Sequence, residues 1–572
     1  MLLRRLFATT TGAIVSKGAA IITALLLFRQ LPTADMGRYT AALTLVSFCA
    51  ILGNTGLNPL TTREIARRGD DGWSWWVSIA PLRLLLALAA YGLLVVVALF
   101  IPNLVDPRLA LVAGLLLVPD ALAGALDATL DGMGLAALAS WLDALSNLVG
   151  LLATLALVLI WHADVLALAW LAVGLAAWAL SLNGLALLRQ RRGLPFNQRS
   201  WGPHQPDDLA TSSKILPIWA HEHAQRTPMS SAPMEAEHSH KQSRWQAVPR
   251  WEAIRRLPGH LFSEWKYALA AALPLGLGAL AATFYFRVDT LFLSAARGGR
   301  AVAYYSAPYQ IVESFWLVST SWNAVMLPVL ARRFSPRFVE RSIALLLSIG
   351  LPASLVITFQ AHDIVRLVFG PAYLPAILPL RLVIWVVPIL FSYVPLVTAL
   401  FVHNLQRQVL YVLLTNLVLA LLLDALLIPP YGVLGASLAT LIVEAAGLCG
   451  YLCLAYRANL EISWARGLVV PILICIPLAV VLMIGQSLPF MFIMPAALLL
   501  WGALFALFRP WAGWQMNPQF FSPQGTSKRS GAATEERAGD LAGEPGSESF
   551  QTPATDTLAN TQPSASEGLV IS

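Results

Sequence analysis

Apolar runs of about 20 residues recur from residue 7 to residue 508, and no other feature of the sequence constrains the fold so strongly. About 20 consecutive apolar residues carry a helix across the hydrocarbon core of a bilayer. Fourteen runs qualify on reading: 7–28, 39–60, 77–101, 109–128, 138–161, 165–187, 267–293, 304–327, 343–359, 380–402, 409–428, 433–456, 468–484 and 489–508. The first follows Arg4 and Arg5, but it is long for the apolar part of a signal peptide and no clear small-residue cleavage site follows, so it reads as a retained helix. Only 12% of the residues are charged and mean hydropathy is +0.67, against roughly 25% charged in a soluble domain. The expected fold class is therefore an all-α polytopic membrane protein.

The formal net charge of +7 does not point to nucleic acid, because the basic residues form short clusters between apolar runs and not one face or tail. Taking alternate loops together gathers Arg63, Arg67 and Arg68 with Arg189, Arg191 and Arg192, and with Arg332, Arg333, Arg337 and Arg341. The opposite loops hold fewer. The positive-inside rule then places both termini in the cytoplasm, and an even number of spans agrees, since it puts both termini on one side.

Two segments do not belong in a bilayer. Residues 193–262 are polar and Pro-rich, and 510–572 are rich in Ser, Thr, Pro, Gly and Glu; both carry a disorder composition. The histidines at His221, His223, His238 and His240 lack the spacing and companions of a metal site. The expected organisation is a six-helix half over 1–192, the insertion 193–262, a second six-helix half over 263–460, an extra helix pair over 461–509, and the tail. Cys49, Cys449, Cys453 and Cys475 all lie inside apolar runs and read as small apolar residues, with neither disulfides nor a metal implied.

The two halves echo one another. Residues 39–68 align without a gap with 304–333, both beginning at Tyr and ending in Ala-Arg-Arg, and a stretch from Ser146 echoes one from Thr415. Repeats of even span number lie parallel in the membrane, and carriers built so place their substrate between the halves. A central cavity follows.

A charge at the centre of a spanning helix costs about 2.5–3.5 kcal/mol on insertion scales and is a functional candidate by default. Lys17 lies about ten residues from either end of its run, Arg83 lies in the third, and Arg287 lies in the run equivalent to that of Lys17. These three cations suit an anionic cargo. The structural alternative is that they pair with Asp289, Glu313, Asp120 or Asp143 to hold helices together. Arg381, Asp424 and Asp127 fall near predicted span ends, where a structural role is the better reading. The sequence has no Walker A loop, no HExxH and no GxSxG with triad partners, so an enzyme is not indicated.

The stretch 27–68, with Gly37, Tyr39, Gly56, Leu57 and the run Thr62, Arg63, Glu64, Ile65, resembles the polysaccharide biosynthesis proteins. These are the oligosaccharide flippases of the multidrug, oligosaccharidyl-lipid and polysaccharide exporter superfamily. The stretches 286–313 and 427–444 resemble the same family. The resemblance implies a flippase of the bacterial inner membrane, moving an undecaprenyl-diphosphate-linked oligosaccharide by alternating access for surface polysaccharide biosynthesis. On that reading Lys17, Arg83 and Arg287 meet the diphosphate, Phe284 and Tyr285 contact sugar, and Asp289 or Glu313 is a coupling carboxylate. Membrane lipids and a polysaccharide polymerase or export machinery are the implied partners, with no cofactor. The main alternative is a cation-coupled multidrug or metabolite antiporter of the same superfamily. A twelve-span sugar transporter lacks support in the loop after the second run, and a membrane glycosyltransferase lacks acidic site residues and a large periplasmic loop.

Overall fold

The computed structural model describes residues 2–54, 56–68, 72–101, 104–161, 164–193, 257–332, 334–462, 464–485 and 490–508. Most of the polar insertion and all of 510–572 lie outside these residues. Among the described residues every regular element is helical.

The first bundle consists of α1 (Leu2–Gln30), α2 (Thr33–Asn54), α3 (Leu57–Arg68), α4 (Gly72–Phe100), α5 (Pro107–Gly114), α6 (Leu117–Gly132), α7 (Ala136–Leu159) and α8 (Val165–Gly193). The second consists of α9 (Leu257–Arg297), α10 (Gly299–Arg332), α11 (Pro336–Phe359), α12 (Ala361–Val368), a 3₁₀ turn (Pro371–Ala376), α13 (Ile377–Val383), α14 (Val386–Val402), α15 (Gln406–Tyr431) and α16 (Val433–Arg457). α17 (Trp464–Ile484) and α18 (Phe490–Phe508) follow. α9 begins at Leu257, so the last residues of the expected insertion are helical.

Among the described residues twelve helical stretches are long and apolar enough to cross a membrane, together with one shorter apolar helix, 491–507. The expected count of fourteen is not reached. The run 39–60 is missing from the twelve because Gly56, at φ +75°, breaks it into α2 and α3, and because α2 carries Thr40, Thr44 and Ser47. α2 packs against α4, α5, α9 and α10, so its surroundings are largely protein and the uniform apolarity demanded by lipid is relaxed. The same break qualifies the gapless repeat, since α10 runs unbroken through the residues aligned with α2 and α3.

The end of the bundle where α1 meets α2 is called here the upper end. There α2 and α10 cross at glycines: a Cβ on Gly37 would fall 1.5 Å from the carbonyl oxygen of Gly299, and one on Gly299 would fall 2.7 Å from that of Ala34. Only paired glycines let two backbones come so close. Beside this crossing the Arg29 guanidinium donates to the Leu367 carbonyl at 2.9 Å, and Phe28 meets Phe369 and Tyr373 edge-on at 5.6 and 5.8 Å. At the lower end α9 holds the first bundle instead. Tyr267 donates to Glu64 at 3.0 Å, Trp265 donates to the Ser78 carbonyl at 2.8 Å, and Arg68 pairs with Glu264 at 3.7 Å.

α17 and α18 lie against α11, where Leu478, Leu482, Ile493 and Ala497 form a small apolar core with Leu355 and Phe359. Cys449 and Cys453 are exposed on α16, since one helix face turns both outward, whereas Cys49 is buried.

Candidate functional site

A cavity of about 570 Å³ opens between the bundles beneath the glycine crossing. α1, α2, α7 and α8 line it from one side, and α9 and α10 from the other. Against an aliphatic lining that includes Leu27, Leu43, Leu168, Leu171 and Leu175, its wall carries a set of hydroxyls and amides, Thr23, Thr40, Thr44, Ser47, Ser146, Asn147, Thr154, Ser306 and Gln310, with Phe28, Tyr39 and Phe286 as aromatic surfaces. Spacing explains this polar stripe on α2, because Thr40, Thr44 and Ser47 recur at i, i+4 and i+7, one face of a helix. The Thr40 and Thr44 hydroxyls donate to carbonyls one turn earlier, Met36 and Thr40, which leaves their lone pairs free to accept from a ligand.

The charges in this wall are paired or opposed. The Arg287 guanidinium meets the Glu313 carboxylate at 2.6 Å, both side chains partly exposed to the cavity. Asp289, two residues on, is buried, and accepts from the Thr290 amide at 2.6 Å and from the Tyr305 hydroxyl. Asp143 lines the cavity from α7. Lys17 is not in the wall itself. It is exposed on α1 and lies on the stripe of Ala20, Ala24 and Leu27, one turn nearer the lower end, within electrostatic reach of Asp143. It therefore stands at the lower mouth.

Arg83 lies elsewhere. It is 2% exposed, and its guanidinium donates to Asn58 at 2.6 Å and to Thr61 at 2.7 Å, which binds α4 to α3. Phe284 stacks on Phe48 at 4.4 Å. Tyr285 turns into the second bundle, where it and Tyr393 close on Glu444. Of the seven candidate site residues, the structure gathers Arg287, Asp289 and Glu313 in the wall, puts Lys17 at the mouth, and directs Arg83, Phe284 and Tyr285 into helix contacts.

Sequence reasoning gave Asp424 only a structural role, near a span end. This carboxylate on α15 is 1% exposed and shares with Tyr285, Asp289, Thr440 and Glu444 a pocket of about 20 Å³, enough for about one water or small ion. One Asp424 oxygen has no hydrogen-bond partner, and neither has one of Glu444. The Tyr305 hydroxyl, which serves Asp289, also lies 2.8 Å from that of Thr440, so the small pocket and the cavity share one hydrogen-bond chain. Three carboxylates and hydroxyls suit a proton or a monovalent cation. Among the described residues no group of three or more His, Cys, Asp or Glu side chains is placed to hold a metal ion.

The sequence pattern of the family described as "Polysaccharide biosynthesis protein" matches residues 2–200. No curated protein sequence matches the chain. Among solved structures, the lipid II flippase MurJ in an inward closed conformation superposes with a TM-score of 0.62 at 12% identity, over 89% of this chain and 99% of that one. An inward-facing multidrug resistance MATE family transporter of the MOP superfamily superposes with a TM-score of 0.52 at 14% identity, over 78% of this chain and 95% of that one. The fold is the one these transporters share.

Proposed function

We propose, from a chain with the fold of the flippase and MATE structures whose residues 2–200 match polysaccharide biosynthesis proteins, that it is a flippase for a lipid-linked oligosaccharide. The carrier lipid is an undecaprenyl diphosphate, the membrane is the bacterial inner membrane, and the product serves surface polysaccharide synthesis. Both termini are cytoplasmic, which makes the upper end periplasmic. The observation that carries this reading is the set of hydroxyls and amides within the cavity between the two bundles, closed above and with a lysine one turn below its α1 wall.

Glycan hydroxyls exchange their hydrogen bonds with water for bonds to Thr40, Thr44, Asn147 and Gln310, so a chain of sugars crosses the bilayer without facing hydrocarbon. The diphosphate, tethered to a lipid tail, waits near the leaflet it came from while the glycan loads, where the Lys17 ammonium offsets part of its charge, and crosses last. Separation of α2 from α10 above and approach of the bundles below then present the glycan to the other side. An ion or proton entering the Asp289–Asp424 pocket biases that equilibrium, because the pocket's geometry changes as Tyr305 on α10 moves.

The test is translocation of a fluorescent undecaprenyl-diphosphate oligosaccharide in proteoliposomes. The parent chain is expected to move the lipid, and Lys17→Ala to move it at least tenfold more slowly at equal insertion. Equal rates would make Lys17 a helix-packing charge.

One observation favours a second reading. Asp143, Asp289 and Glu313 all reach the cavity against Arg287 alone in its wall, and a carboxylate-rich wall suits export of an amphipathic cation. Uptake of ethidium into the same vesicles, driven by a sodium or proton gradient, with no lipid translocation, would establish the antiporter.

A further inference from the structure

The cation expected to meet the cargo from α9 is already engaged. Arg287 and Glu313 are 2.6 Å apart, the distance of a strong charge-assisted hydrogen bond. A ligand carboxylate that claimed Arg287 would displace Glu313 and leave its carboxylate without that partner. It would also enter a wall that already presents Asp143 and Asp289. In a space that excludes much of the water, like charges a few ångströms apart repel far more than at a wet surface. Rejection built from repulsion and an unpaired charge is an effective source of specificity. The remaining wall offers uncharged groups only: hydroxyls and amides to a ligand that has hydroxyls of its own, and aliphatic and aromatic side chains to the C–H faces of its rings.

We infer that the cavity selects a neutral, hydroxyl-rich glycan and excludes acidic sugars, and that Glu313 sets this preference by holding the Arg287 guanidinium. This deepens the flippase reading and rests on it only in taking a glycan as the ligand class. While the glycan is being selected, the phosphate of a lipid-linked donor lies below the chamber, beside Lys17. The chemistry that supplies the cargo is therefore assembly from neutral hexoses, with uronic acids or acidic substituents absent or added after crossing.

The experiment uses the purified full-length chain and two free probes without lipid: maltotriose, and maltotriose oxidised at its terminal C6 to a uronate. Saturation-transfer NMR is expected to report maltotriose bound and the uronate at least tenfold weaker. Glu313→Gln frees Arg287 while keeping the side chain's size, and is expected to raise uronate binding at least tenfold; Glu313→Asp, which keeps the charge, retains the parent's preference. Unchanged melting temperature confirms that each variant is folded. Uronate binding as good as that of maltotriose in the parent, no transfer from maltotriose, or a Glu313→Gln variant with the parent's selectivity would each overturn the inference. The flippase reading fails separately: vesicles that do not translocate lipid-linked glycan, while the free probes still discriminate, refute translocation and leave the selectivity standing.

Discussion

Lys17 and Arg83 raise the same question in the sequence, a cation within an apolar run, and the structure answers them differently. Arg83 is 2% exposed and makes two charge-assisted hydrogen bonds, each worth about 1.5–3 kcal/mol, which offsets an insertion cost of about 2.5–3.5 kcal/mol. Its Nε remains without a partner. Arg83→Met is expected to destabilise the chain by about 1–3 kcal/mol, since Asn58 and Thr61 lose their donor while buried, and to leave cargo preference unchanged. Thermal unfolding in detergent and the probe-binding ratio check both parts; a shifted preference at unchanged stability would bring Arg83 to the cargo. Charge in an apolar run was legible, and so was the pairing of a cation with a carboxylate such as Glu313, which Arg287 makes. Facing was not. Tyr285 and Phe286 are neighbours about 100° apart on one helix, and only Phe286 reaches the cavity, a distinction that hydropathy cannot make in a helix apolar all round. Asp424 was misplaced for a related reason: α15 runs on to Tyr431, so a residue read as about one turn from a span end lies about two turns from the helix end.

Among elements, the α2–α10 crossing decides whether the upper end is shut. A methyl on Gly37 would fall 1.5 Å from the Gly299 oxygen, so the helices must part to admit it. Overpacking of this kind costs about 1–3 kcal/mol, here charged only to the closed arrangement, and every 1.4 kcal/mol shifts a two-state equilibrium about tenfold. Gly37→Ala is expected to raise labelling of a cysteine placed at Ser306 by a membrane-impermeant maleimide applied from the periplasmic side, by tenfold or more. Labelling at the parent's rate would mean that the crossing stays shut around the added methyl. The sequence marked Gly37 through a resemblance and said nothing of Gly299, because closeness between helices some 260 positions apart leaves no local trace. The helix count failed at α2 in an instructive way. A helix walled by protein on most sides is free to be polar, so hydropathy detects best the helices that matter least to the cavity.

For the whole molecule, the small Asp289–Asp424 pocket belongs to the second bundle, shares Phe286, Asp289 and Tyr309 with the wall of the larger cavity, and is linked to it by the Tyr305 hydroxyl. An ion there acts on transport by favouring one arrangement of the bundles over the other, and only by its difference in affinity for the two. Asp424→Asn is accordingly expected to abolish stimulation of translocation by an imposed sodium or proton gradient while leaving gradient-free exchange within a factor of about three. Stimulation at the parent's level in the variant would remove Asp424 from coupling. Membrane class and a cavity between two bundles could be read from apolar runs and echoed motifs. Which polar faces converge there could not, since that depends on contacts between helices far apart in the chain.

α17 and α18 rest on α11, and neither supplies a residue to the cavity wall. Their outward side is apolar, with Val469, Ile472, Ile476 and Met483 exposed. The pair is thus a separable cladding on a complete transport unit, joined to it along one helix. Its sequence is free to drift, or to acquire a neighbour in the membrane, without retuning what the cavity accepts, so cargo choice and company in the bilayer evolve on different parts of the chain.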